Sequence, residues 1–241
     1  MATYPPEEQR RFWNNWNAAA HEGRPLDAAS EARRSFVVDG IGRLDLLPDQ
    51  CRILEVGCGS GWLTTELVRH GQVTAVDLAD EVLERARTRV PAADFRAGDV
   101  LTMPLDAGAF DLIVTLETLS HVGDQAEFFR RMRELLVPGG TLLLTTQNRR
   151  VMERTETMGG QPGFSRHWLL PGDVRRLALP HFQIRTLSTL LPVYGTGILR
   201  AAHSRWLTSP LGILIGKGGV RRIQERLGLG QTIVFAGRAR P

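Results

Sequence analysis

Three carboxylates and a run of glycines in the first half of the chain have the spacing of a nucleoside-binding site. Glu55-Val56-Gly57-Cys58-Gly59-Ser60-Gly61 places glycines at alternate positions, where the backbone can turn sharply and approach a ligand closely. The N-terminus of a following helix would offer free N–H groups to a polar or anionic group. A dinucleotide fingerprint, G-x-G-x-x-G, would put its third glycine at position 62. That residue is Trp62; the glycine comes one residue earlier, and Glu55 stands two residues ahead of the first. Asp77, followed by Leu78, ends the next apolar run. A carboxylate there can accept hydrogen bonds from both ribose hydroxyls, and Asp80 is the better placed N-cap. Asp99 can accept from an adenine amino group, and Val100 can pack on the ring. A second kind of chemistry is offered by Thr115 to His121. Glu117 and His121 are four apart and share a face if the stretch is a helical turn. His121 is a candidate general base, with Glu117 orienting its ring; a purely loop-fixing histidine is the alternative. Two such ligands do not make a metal site, and none is assigned.

These residues need strands that end where they stand. Arg52 to Val56 reads as a short buried strand running into the glycines, and a helix is expected from Trp62 to His70. A strand at Val73 to Asp77, a helix at Asp80 to Val90, and strands near Asp94 to Ala97 and at Phe110 to Leu116 follow. Asp124 caps a helix that stops at Pro138-Gly139-Gly140, and Thr141 to Thr146 is a further strand. Strands alternating with helices imply an α/β fold, Rossmann-like and doubly wound, with a mostly parallel seven-stranded sheet. In such sheets ligands bind beyond the carboxyl ends of the strands. Two helices precede this core: Pro6 to His21, with Phe12, Trp13 and Trp16 at helical spacing, and a second from Asp27 to about Leu47, stopped by Pro48. Residues 1–47 are thus expected as a helical cap, and 48–190 with 230–241 as the core of a single domain. Strands are expected at Phe182 to Leu190 and Thr232 to Ala236. Residues 191–229, rich in Gly, Leu, Ile and Arg, read as a helical lid or insertion with three open roles: acceptor pocket, dimer interface or membrane contact.

Bulk properties fit one large α/β domain. The chain has 241 residues, 42% hydrophobic and 23% charged, ordinary for a globule of this size. No run approaches the roughly 18 apolar residues needed to span a bilayer, and Met1 to Arg11 has no apolar signal core. Two cysteines, Cys51 and Cys58, make no disulfide framework, so a reducing, cytoplasmic compartment is expected. The net charge of +4 is carried almost wholly by arginine, with Lys217 the lone lysine. The arginine pairs are dispersed along the chain rather than gathered, which disfavours a nucleic-acid partner. The chain is expected as a monomer or homodimer.

Taken together these motifs resemble the class I S-adenosylmethionine (SAM)-dependent methyltransferases, and within them the ubiquinone-biosynthesis O-methyltransferase group. The likeness runs from about Phe12 to Leu177. It rests on Trp13 and Trp16, the glycine motif, Glu117-Thr118-Leu119-Ser120-His121-Val122, Pro138-Gly139-Gly140 and Thr145-Thr146-Gln147-Asn148-Arg149. The resemblance implies SAM as cofactor, held by Glu55, Gly57, Cys58, Gly59, Gly61, Asp77, Leu78, Asp99 and Val100. It implies that Leu116 packs near the adenosine and that Arg34 pairs with the methionine carboxylate. Members of that group often carry a second glutamate just before the histidine, with a divalent metal; Ser120 stands there in this chain. The expected reaction is methyl transfer to a small-molecule acceptor, with oxygen as the leading nucleophile. Nitrogen or carbon of a small heterocycle is the first alternative, and RNA or protein the second.

Overall fold

The computed structural model describes residues 6–20, 26–44, 51–155, 166–192, 216 and 218–241. Helices α1 (Pro6–Ala20) and α2 (Ala28–Ile41) precede β1 (Arg52–Val56), α3 (Thr64–Leu67), β2 (Gln72–Asp77), α4 (Asp80–Arg89), β3 (Asp94–Ala97) and β4 (Phe110–Leu116). Then come α5 (Gln125–Leu135), β5 (Leu136–Gln147), α6 (Arg149–Thr155), α7 (Pro171–Ala178), β6 (Phe182–Pro192) and β7 (Gly230–Ala239). The strands form one seven-stranded sheet in the order β3-β2-β1-β4-β5-β7-β6. β1 to β5 are parallel, and β7 is antiparallel to both its neighbours. This is the expected α/β architecture. β1 and β4 lie at its centre and read as near-continuous apolar runs because both faces are covered.

One face carries α2, α3 and α4 over a core that includes Ile53, Leu67, Leu83, Leu112 and Leu143. The other packs α5, through Phe128 and Phe129, and α7 on Leu54, Ile113, Phe182 and Phe235. There Phe129, Phe182 and Phe235 meet edge to face, their ring centroids 6.0–6.3 Å apart, the geometry the ring quadrupoles favour. α1 is fastened to the start of α4. Asn14, buried, donates from Nδ2 to Asp80 Oδ1 at 3.0 Å and accepts from the Glu81 amide at 3.3 Å.

Several boundaries differ from the sequence reading. α2 starts after its Asp27 cap, as expected, but ends at Ile41 with Gly42 as C-cap; residues 45–50 lie outside the described ones. The helix expected from Trp62 to His70 is only Thr64–Leu67, with turns on both sides. Pro138-Gly139-Gly140 lies inside β5 rather than ahead of it. Gly139, at φ +78°, accommodates a register irregularity between Phe110 and Leu112 of β4, so the strand begins directly after α5. α6 has no counterpart among the expected elements. Of the proposed lid, residues 218–226 are helical and lie beside β6, where Thr189 Oγ1 donates to Glu225 O at 2.6 Å; 193–215 and 217 lie outside the described residues. Among the described residues no helix is long and apolar enough to cross a membrane.

Candidate active site

The carboxyl ends of β1, β2, β4 and β5 open into one cavity of about 550 Å³, roofed by Phe12, Trp13 and Trp16 of α1. α1 thus lies over the strand ends. α2 contributes Asp27, Ser30 and Arg33 to the wall.

The loop after β1 is shaped by β2. Gly57 and Cys58 donate to Val76 O at 2.8 and 3.2 Å, and Gly59 donates to Asp77 Oδ2 at 2.7 Å. These amides are therefore spent within the protein, and what the loop presents to the cavity is close-lying backbone. Gly57 has φ +76°, and a Cβ there would stand 2.0 Å from Thr118 Oγ1, so the position admits no side chain. Asp77 accepts a second amide, that of Ala79, on Oδ1 at 2.8 Å. Burial pushes its pKa up, against the pull of the backbone donors. A carboxylate has about four lone-pair sites, so acceptor capacity remains on both oxygens at the cavity wall. Asp99 Oδ1 takes the Leu101 amide at 2.9 Å, and Asp99 lines the same wall with Leu78, Val100, Leu116 and Cys58. Burial raises the Cys58 thiol well above its ordinary value, so it is a packing group rather than a nucleophile.

Three expected ligand residues face elsewhere. Glu55 and Gly61 do not line the cavity. Glu55 is 4% exposed; it lies beneath the loop and accepts from Thr64 Oγ1 at 2.5 Å. Burial pushes its pKa to about 8, with Thr64 acting in the opposite sense. It braces the loop from behind. Arg34 turns to Glu31 at 2.8 Å and Glu66 at 3.5 Å, away from the cavity, and Arg33 lines the cavity instead. The helical phase explains the exchange. Arg33 lies on the same stripe as buried Val37 and Ile41, four and eight residues on.

After β4 the backbone enters a left-handed conformation at Glu117, φ +60°, and a short 3-10 turn, Leu119–His121, follows. Glu117 accepts from Thr145 Oγ1 at 2.9 Å and faces Arg33 Nε at 3.9 Å. Burial raises its pKa, while Arg33 and Thr145 lower it. The ring of His121 lies edge-on to Trp13, centroids 4.7 Å apart. Glu117, expected to steer the imidazole, engages Arg33 and Thr145. That donor set also fails a divalent metal. The carboxylate is engaged, and Ser120 Oγ is directed at Glu117 O and Gln147 Oε1. Among the described residues no three His, Cys, Asp or Glu side chains are grouped to hold an ion.

The far wall was missed by sequence reasoning. It comprises Gln147, Met152, Arg166, Trp168, Gln231 and Thr232. Residues 166–168 are stitched to the loop after β4. The His167 amide donates to Ser120 O at 2.6 Å, and Gln125 Nε2 donates to Leu119 O at 3.0 Å and to His167 O at 2.8 Å. Asn148, buried, donates from Nδ2 to Gly228 O at 2.9 Å and Gly230 O at 2.7 Å, which brings the start of β7 to the cavity. Such long-range side-chain clasps leave no periodicity in the sequence.

Residues 54–144 match the family described as Methyltransferase domain. Over 142 residues the chain is 38% identical to the ubiquinone biosynthesis O-methyltransferase of Xanthomonas axonopodis pv. citri (strain 306), covering 56% of this chain and 57% of that one. The chain therefore spans little more than half the length of the curated relatives it matches. Among solved structures, it is similar to the N-methyltransferase NodS from Bradyrhizobium japonicum WM9 in complex with S-adenosyl-l-homocysteine. The TM-score is 0.64 and the identity 16%, covering 96% of this chain and 98% of that one. The geranyl diphosphate C-methyltransferase of Streptomyces coelicolor A3(2) gives a TM-score of 0.63 at 20% identity, covering 99% of each. At these identities the likeness is one of fold.

Proposed function

From the methyltransferase domain carried by residues 54–144, we propose that the protein methylates an oxygen of a small, flat, hydroxylated acceptor, with SAM as methyl donor. The observation that carries this reading is the single cavity itself. One wall holds two acceptor carboxylates, Asp77 and Asp99, and the other holds His121 among aromatic side chains. The likeness to a relative named as an O-methyltransferase supports oxygen as the nucleophile, and Phe12, Trp13, Trp16 and Trp168 suit a flat ring.

Bound SAM supplies a sulfonium methyl, and its transfer to a hydroxyl yields a methyl ether, S-adenosylhomocysteine (SAH) and one proton. The chain's part is binding, alignment and the fate of that proton. Asp77 takes the ribose hydroxyls on the lone pairs its two amides leave unused. Asp99 takes the adenine amino group, and Leu78, Val100 and Leu116 pack the base. Arg33 is the cation for the methionine carboxylate, and Glu117 and Thr145 set its position. The α1 aromatics exclude water, so that proximity and alignment do most of the work. His121 holds the acceptor's proton, and its edge contact with Trp13 keeps the ring at the cavity wall.

Calorimetric titration with SAH and turnover of phenols at saturating SAM test the two ends separately. Asp77→Ala is expected to weaken SAH at least tenfold, about 1.5–3 kcal/mol for hydrogen bonds to a charged group, with far-UV dichroism unchanged. His121→Ala is expected to lower turnover about 10²–10⁴-fold. Unchanged SAH affinity in the first variant would move the ribose to another residue. More than a tenth of wild-type turnover in the second would remove His121 as the base.

A further inference from the structure

The amide of Gln147 has one defined orientation. Trp168 Nε1 lies 2.8 Å from Gln147 Oε1. An indole N–H can only donate, so the atom facing it must be the oxygen; the opposite flip would set two donors against each other. Ser120 Oγ, 3.3 Å from the same oxygen, agrees with that assignment. Gln147 Nε2 is consequently turned away from Trp168, and among the described residues nothing accepts its two N–H bonds. Gln147 is half-buried at the end of β5 and lines the cavity. Gln147 therefore presents N–H groups to the cavity in a fixed direction.

We propose that Gln147 is the specificity-determining residue for the acceptor: its Nε2 donates to an oxygen of the substrate other than the one methylated, so the enzyme selects hydroxylated aromatic compounds that also carry a carbonyl or ionised oxygen. The proposal rests on the reading of a hydroxylated acceptor given above. Leaving a built donor unpaired is what lets a site reject an analogue that lacks the matching oxygen. Trp168, which pins the amide, is then a positioning residue for Gln147.

Matched acceptors test this: 3-hydroxyacetophenone against 3-ethylphenol, and 7-hydroxyflavanone against 7-hydroxyflavan, each pair differing in one carbonyl. The readout is the ratio of kcat/KM within a pair. Wild type is expected to favour the carbonyl member by about tenfold, the order of one neutral hydrogen bond. Gln147→Glu keeps an oxygen for Trp168 and Ser120 but replaces the donors with a second acceptor. It should bring the ratio to one or below, chiefly through KM, with the near-UV dichroism of the indoles retained. Gln147→Leu, which lacks both groups, should give a ratio near one. A wild-type ratio of one or less, or a ratio unmoved in Gln147→Glu, would overturn the proposal while leaving O-methylation standing. No turnover of any member by wild type that still binds SAH would overturn the acceptor reading, and this inference with it.

Discussion

Replacing Glu55 with glutamine should make the protein more stable above neutral pH, an outcome opposite to the usual effect of removing a buried hydrogen-bonded side chain. Glu55 lies under the glycine loop, and burial pushes its pKa from 4.5 to about 8. Below about pH 4.5 the group is protonated in both folded and unfolded chains and imposes no penalty. As pH rises from there the unfolded chain releases this proton and the folded one retains it, so stability falls. Above about 8 the penalty is complete and constant. At about 1.36 kcal/mol per unit, the gap gives an upper limit of about 5 kcal/mol. The substituted amide would keep an oxygen for the Thr64 hydroxyl and never ionise. Urea unfolding of wild type and Glu55→Gln at pH 5.5, 7.0 and 8.5 isolates the group, because other titrations are common to both. The difference should move in favour of the variant by about 1–1.4 kcal/mol per unit between pH 5.5 and 7, and then flatten. Parallel curves would show that the carboxyl ionises without cost and that the loop is braced otherwise.

Gly57→Ala should abolish SAH binding and lower the melting temperature, since its Cβ would overlap Thr118 Oγ1. Restored binding in the double variant with Thr118→Gly would tie the effect to that overlap, whereas full affinity in the single variant would contradict it. Arg33→Ala and Arg34→Ala should separate cleanly. The first is expected to weaken SAH by about 1.5–3 kcal/mol, as for a lost charged hydrogen bond. The second loses a partly exposed ion-pair cluster and should change stability by under about 1 kcal/mol, with affinity retained. The reverse order in calorimetry would restore Arg34 as the carboxylate partner.

What is legible in the sequence is what neighbours in sequence decide. The glycine loop, Asp77 and Asp99 each stand at or just beyond the carboxyl end of a parallel strand, so the sheet carries them to one edge. Arg33 and Arg34 are adjacent and chemically identical. Only the helical phase set by Val37 and Ile41 distinguishes them and turns Arg33 rather than Arg34 to the cavity. Glu55 reads as facing the ligand because its motif does, yet alternation along β1 turns its carboxyl behind the loop toward Thr64. Gln147 and Trp168 are invisible as a pair. They stand 21 residues apart, and neither lies in a periodic pattern that implies the other. The lid reading falls largely on residues outside those described. Its helical part, 218–226, sits by β6, and Arg221 borders a separate groove with Arg43, Arg185 and Arg238.

The order in which the strands are made differs from the order in which they lie. β7 is the last strand along the chain but sits between β5 and β6. Throughout synthesis of β6 and the segment after it, β5 keeps a bare outer edge, and β6 has no strand to join. A row of unpaired backbone groups on an apolar strand is open to mispairing, and chains of this size expose such edges in their intermediates. Gln231 and Thr232, which wall the cavity, arrive with β7, and the Asn148 clasp closes on carbonyls at its threshold. On a ribosome, the cavity wall at the ends of β1, β2 and β4 can therefore assemble from nascent chain, whereas the wall that includes Gln231 and Thr232 waits for β7 to be threaded into place.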